Sequence, residues 1–171
     1  MPHLTDAYRL ARWLAGSRAD ADDIVQEASL RAFTAIDRFN GINARAWVLS
    51  IVRNTAFTWL SRNRPSTMVF AEDLDGAARE RMENAAVTDG AGPETPEAAA
   101  IGRSELEAVR ARVAALPPAF REVLVLREVH DLAYREIAEI VEAPVGTVMS
   151  RLARARRILI DQAEKAEGKR V

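Results

Sequence analysis

Cysteine is absent from all 171 residues, so no disulfide and no thiolate metal site can belong to this chain. Histidine occurs only at His3 and His130. No glycine-rich loop could cradle a phosphate, and no carboxylates or histidines fall at catalytic or metal-ligand spacing. The residues therefore offer no catalytic constellation, and neither an enzyme nor a cofactor is expected. No apolar run approaches the ~20 residues of a membrane span, so membrane insertion is not expected. The first residues also lack the charged start and apolar run of a secretory leader. A cytoplasmic protein fits these absences. Aromatic residues make up only 6% of the chain while hydrophobic residues reach 49%. Glycine and proline gather between apparent elements. The reading is an all-α protein, long enough for one domain or two small ones.

The formal net charge of −1 hides an uneven distribution. Residues 1–66 carry a net +3, residues 67–100 a net −6 and residues 101–171 a net +2. Two mildly basic ends flank an acidic middle, which allows nucleic-acid contact by local basic faces. The middle stretch contains Gly90-Ala91-Gly92-Pro93 and Pro96 and has little sustained periodicity. Its expected role is a flexible linker, with a turn or two of helix over Met82–Val87. As a coil, its 34 residues span about 30–35 Å root mean square. Such a linker lets two small helical domains sit on separate DNA segments or fold onto each other.

The stretch Leu132–Arg157 is the most informative. Ile137, Ala138, Ile140 and Val141 recur at helical spacing. Glu142-Ala143-Pro144 breaks the pattern, because Pro144 cannot continue one helix yet suits the first turn of the next. Val148, Leu152, Ala155 and Leu159 then fall on one face of a second helix. Gly146, Ser150, Ala153, Arg154 and Arg157 lie opposite, flanked by Thr147 and Arg151 on one side and Met149 on the other. Between Pro144 and Ile160 stand four arginines and no acid. Helix, tight turn and a helix with small polar and basic residues outward is a helix-turn-helix. Small residues let a helix lie close to base edges, and arginines reach phosphates on either side.

Upstream, the spacing predicts a short helix over Thr5–Ala15, ended by Gly16-Ser17. A second helix follows to about Ile36, with Asp20 as N-cap, Asp22 and Asp23 in its first turn, and Ile24, Ala28, Phe33 and Ile36 inward. Asn40-Gly41 marks a turn. A third helix runs from about Ala44 to Asn63, with Val48, Ile51, Val52, Ala56 and Trp59 as its apolar stripe and Arg45, Arg53, Asn54 and Arg62 on its other face. Pro65 marks its stop. Trp47 and Trp59 suit the core better than a stacking platform. Residues 101–116 form a further helix with Leu106, Val109, Val113 and Leu116 inward, broken by Pro117-Pro118. The next, Ala119–Val129, offers Phe120, Val123, Leu124 and Leu126. His130 reads as a cap or surface residue, and after Leu159 the chain is expected to fray into a charged tail, Lys165 to Val171.

Two blocks carry a resemblance. EIAEIVEAPVGTVMSRLARAR resembles the promoter-reading helix-turn-helix of bacterial extracytoplasmic-function (ECF) sigma factors, two-domain initiation factors of RNA polymerase. DADDIVQEASLRAF…DRFNGINARAWVLSIVRN resembles the first conserved domain of the same family, region 2, in the expected order. The resemblance implies region 2 over 1–66, a linker over 67–100 and region 4 over 101–171. It implies that Asp23, Gln26, Glu27 and Arg31 bind core polymerase through the clamp of its β′ subunit, and that region 4 meets the β flap. Phe39, Asn40, Asn43 and Arg45 become candidates for the unpaired bases of the −10 element, and Arg53 and Asn54 for its melted strand. For the duplex −35 element, Met149, Ser150 and Ala153 match base-facing positions, while Thr147, Arg151 and Arg154 match phosphate-holding ones. Arg157 extends that surface. The family often has a basic residue where Met149 stands. Its members usually have more chain before the acidic helix than the 19 residues preceding Asp20. Control by an anti-sigma factor in a stress or envelope response is a further implication. Two rivals remain at this point. A sigma-like mimic that titrates an anti-sigma factor usually carries a receiver domain and a degraded reading helix, neither of which is seen. A plain helix-turn-helix repressor leaves the Asp-Asp-Ile-Val-Gln-Glu block unexplained.

Overall fold

The computed structural model describes residues 3–63, 106 and 108–167, with side chains up to residue 164. The expected linker, the helical turn over Met82–Val87 and the stop at Pro65 lie outside the described residues. All regular structure among the described residues is helical.

Three helices form the N-terminal unit. α1 (Leu4–Ala15) ends where Gly16 adopts a left-handed φ of 82° and its N–H bonds back to Arg12. α2 (Arg18–Thr34) is capped by Ser17, whose hydroxyl accepts from the Asp20 N–H at 3.1 Å. The sequence had pointed to Asp20 for that role. Ser17 takes it because it follows the Gly16 turn in extended conformation, so the helix starts earlier and Asp20 falls in its first turn, near the positive end of the dipole. A short 3-10 turn, Ile36–Arg38, leads to α3 (Ala44–Asn63). Leu10, Leu14, Ile24, Leu49, Val52 and Ala56 fill the core, and buried Ala7, Ala11, Ala21 and Ala28 let the helices approach closely.

Two inward expectations for α2 fail. Phe33 is 73% exposed and Ile36 53% exposed, beside Leu30 at 66%. Only Ile24, Val25, Ala28 and Ala32, with Ala21, reach the core, because α1 and α3 cover one narrow stripe of the helix. The buried stripe of α3 is also rotated toward Ala46, Leu49, Thr55 and Leu60, which leaves Val48, Ile51 and Trp59 at the core's edge.

The C-terminal unit begins in the helical segment 108–114. Val113 and Leu116 are buried there, whereas Leu106 and Val109, expected inward, are exposed. α4 (Pro118–Glu128) starts with proline at its first position and is covered nearly all round. α5 (Tyr134–Val141) and α6 (Val145–Glu167) are the helix-turn-helix, joined at Glu142 in left-handed conformation. The Pro144 carbonyl accepts from Thr147 and Val148 and so opens α6. Val148, Leu152 and Ala155 bury the expected face against α4, while Leu159 lies at the edge. α6 does not fray at Leu159 but continues to Glu167.

The two units lie against each other, α1 beside α4 and α3 beside α5. Their buried residues form one contiguous apolar cluster. Arg121, 7% exposed, crosses the junction: its guanidinium donates to the Leu14 carbonyl at the end of α1 and to the Leu116 carbonyl. That spends a buried charge on helix-end carbonyls, where the dipole favours a cation.

Candidate nucleic-acid and polymerase interface

The reading face of α6 follows from its periodicity. With Val148, Leu152 and Ala155 buried, Gly146 and Arg157 are exposed. Thr147, Met149, Ser150, Arg151, Ala153 and Arg154 are half-buried. The Ser150 hydroxyl donates to the Thr147 carbonyl at 3.0 Å, inside the helix's own first turn. Small residues in the middle and arginines toward the edges leave a surface shallow enough to approach a groove.

On α2, Asp22, Asp23, Gln26, Leu30 and Phe33 are exposed at steps that hold them on one side of the helix. Glu27 and Arg31 pair with each other across one helical turn at 2.5 Å, flanking that side. All four predicted docking residues are thus brought together. Leu30 and Phe33 join them, and sequence reasoning missed their exposure because it assigned Phe33 to the core.

The loop after α2 is built largely by its own polar groups. The Asn40 side-chain oxygen accepts from the Ile42 N–H at 3.0 Å, and Gly41 has φ of 79°. Asn43, at φ 48°, caps α3 by accepting from the Ala46 N–H at 3.1 Å. Phe39 and Trp47 pack with ring centroids 5.0 Å apart and planes tilted by 36°, so Trp47, expected in the core, is instead half-buried against the loop. Asn40 and Asn43 therefore each commit a side-chain oxygen to shaping the backbone, and Asn43 turns its amide toward Glu136 of α5 at 3.0 Å.

Charged groups dominate where the units meet. Arg45 donates to Asp6 at 2.7 Å and to the His130 carbonyl at 2.9 Å. That guanidinium holds the Asp6 carboxyl below its ordinary range against the opposing effect of burial. His130, expected at the surface, is 2% exposed. Its Nδ1 lies 3.8 Å from Asp6, and neither ring nitrogen has a hydrogen-bond partner among the described residues. Burial lowers its pKa to about 4, Asp6 pulling the other way and Arg45 and Arg9 adding to the fall. Arg53 grips Glu122 with two bonds, 2.6 and 3.3 Å, and lies over the Phe57 ring at 4.5 Å. It also donates to Asn54 at 2.9 Å. Arg151 reaches the same Glu122 from α6 at 3.7 Å. Burial pushes the Glu122 carboxyl upward, opposed by its bonds to Arg53 and the charge of Arg151.

Sequence reasoning missed Glu122, Glu136, Asp6 and Arg121. A signal existed for the first and last: Arg121 and Glu122 stand inside the otherwise apolar run from Phe120 to Leu126. Charges in a buried helix demand partners.

This architecture matches two conserved regions of one class. A family model described as sigma-70 region 2 matches residues 1–65, and one described as sigma-70, region 4 matches residues 106–159. The chain thus has the two-region build of a sigma-70-type factor. The ECF RNA polymerase sigma factor SigW of Bacillus subtilis (strain 168) is 32% identical over 157 residues, 91% of this chain and 81% of SigW. The ECF RNA polymerase sigma-E factor of Escherichia coli (strain K12) is 34% identical over 149 residues, 85% of this chain and 74% of its own length. This chain belongs to the ECF sigma factor family, whose members regulate transcription rather than catalyse a reaction. The sigma factor RpoE from Bartonella quintana, solved with the anti-sigma factor NepR, shares the fold with a TM-score of 0.67 at 23% identity, covering 94% of this chain and 91% of its own. No helix among the described residues is long and apolar enough to cross a membrane.

Proposed function

We propose that this sigma factor recruits core RNA polymerase to a narrow set of promoters, with α6 reading the duplex −35 element and the Phe39–Arg45 loop and α3 opening the −10 element. The observation that carries this reading is the acid-free, four-arginine span of α6 mounted in a helix-turn-helix behind an independent region 2 match. Thr147, Arg151, Arg154 and Arg157 hold −35 phosphates, and Met149, Ser150 and Ala153 face its bases. Phe39, Asn40, Asn43 and Arg45 receive unpaired −10 bases, while Arg53 and Asn54 hold the strand. Asp23, Gln26, Glu27 and Arg31 dock on the β′ clamp, and region 4 meets the β flap. The functional boundaries are 1–66, 67–100 and 101–171. The factor acts in the cytoplasm and is held in check by an anti-sigma partner, a reading supported by the similar RpoE having been solved in complex with the anti-sigma factor NepR.

Run-off transcription with purified core polymerase and genomic fragments tests the reading. Transcripts that need this protein, sharing −35 and −10 sequences upstream of their starts, are the expected result. Their absence, with core polymerase active on a control factor, defeats the proposal.

A further inference from the structure

One carboxylate receives cations from both units. Glu122 is 1% exposed. Arg53 comes to it from α3 with a two-bond grip, and Arg151 comes from α6 at 3.7 Å. The two arginines belong to different units and, in the reading above, to different promoter elements. A guanidinium fork closing on two oxygens of one anion is the geometry arginine also uses on a phosphodiester. The rim repeats the pattern: the Asn43 amide, assigned to a −10 base, donates to Glu136. Arg45 is occupied by Asp6 and the His130 carbonyl.

We infer that Glu122 is an internal stand-in for DNA phosphate: closure of the two units competes with DNA for Arg53, and within its own unit the same carboxylate competes with DNA for Arg151. This rests on the DNA-holding roles proposed for those two arginines. Each guanidinium that grips Glu122 is withheld from a strand. The −10 and −35 contacts are therefore withheld together, because one carboxylate serves both. DNA affinity of the free chain is reduced in proportion to the closed fraction. Opening parts Arg53 from Glu122, whereas Arg151, carried on the same unit as Glu122, is released when a phosphate outcompetes that carboxylate or its charge is removed.

The test uses the full chain without polymerase. Fluorescence anisotropy follows binding to a short duplex of arbitrary sequence, and small-angle scattering follows the radius of gyration. Glu122→Gln keeps the side chain's shape and removes its charge. It should expand the chain and tighten duplex binding by at least ~10-fold. Glu139→Gln, an exposed change on α5, removes the same charge without touching the pairs of Arg53 and Arg151 with Glu122 and measures the purely electrostatic gain. Equal gains from the two variants overturn the inference, as does expansion by Glu122→Gln without tighter binding. Circular dichroism checks folding. Should Glu122→Gln fail to fold, Glu136→Gln carries the test: it should tighten binding of a single-stranded oligonucleotide about threefold, and no change overturns the inference. Run-off transcription by the wild-type chain separates the two layers. With transcripts present and no gain from Glu122→Gln, the stand-in fails while the promoter roles survive. With no transcripts, the roles of Arg53 and Arg151 fall and take the inference with them.

Discussion

At Met149 the reading helix presents a flexible thioether without a donor, so it cannot make the bidentate pair that arginine makes with guanine. If α6 reads the −35 element as proposed, recognition there should rest partly on apolar contact and groove shape. Met149→Arg should shift base preference at one or two −35 positions, measured by binding selection from a randomised element, rather than tighten all sequences. Arg154→Ala should weaken every sequence similarly and lower the salt slope by about one unit. A base-specific loss from Arg154→Ala would show the two roles reversed. His130 gives a prediction in pH. Its folded pKa, about 4, lies below the ordinary 6.5, so the folded chain binds fewer protons than the unfolded one between those values. Its share of stability is whole above 6.5 and is lost as pH falls toward 4. Asp6, with a lowered pKa, loses stability at still lower pH, while Glu122, raised, acts with the opposite sign. Comparison with His130→Gln isolates the histidine: between pH 7 and pH 5 the urea midpoint should fall more steeply in the wild type. Equal slopes would reject the assignment. The setting of His130 was not legible in the sequence, because Asp6 and Arg9 reach it from α1 and Arg45 from α3, all distant along the chain, whereas the α6 face was legible from local periodicity alone.

Along α2 an acidic start runs into an apolar end on one exposed side, from Asp22 and Asp23 through Gln26 to Leu30 and Phe33. Joint replacement of Asp23, Gln26 and Glu27 by alanine should abolish co-purification with core polymerase while leaving the helical circular dichroism spectrum in place, since none of the three is buried. Unchanged co-purification removes α2 from the dock. Most helices were readable from apolar spacing and punctuation: Gly16 after α1, Asn40-Gly41 before α3, Pro117-Pro118 before α4, and the Glu142–Pro144 break. Phe33 and Ile36 misled because an exposed binding face and a core stripe look alike when both are apolar at helical spacing. The extent of α6 misled in the other direction. Charge beyond Leu159 read as a tail, yet charged residues sustain a solvated helix as readily as a frayed one.

Over the whole molecule, two matched regions share one apolar cluster. The sequence established both regions, but composition could not decide between extended and folded-together units, since that depends on contacts such as Arg121 with Leu14 and Arg53 with Glu122. A shared core should make the units melt together: one transition by near-ultraviolet and far-ultraviolet circular dichroism is expected, and two separated transitions would count against it. The main contacts between the units run through α1, α3, α4 and α5, which leaves the exposed side of α2 open, and if that side is the dock proposed above an order of events follows. On that reading polymerase would seize the closed chain before it opens, without waiting for an open form. In stopped-flow mixing, the bimolecular capture rate should be alike for wild type and Glu122→Gln, followed in the wild type by a slower first-order phase that does not depend on polymerase concentration. Promoter affinity would then be gained on the enzyme's surface, in a second step, so that the free factor spends little time on random chromosomal DNA.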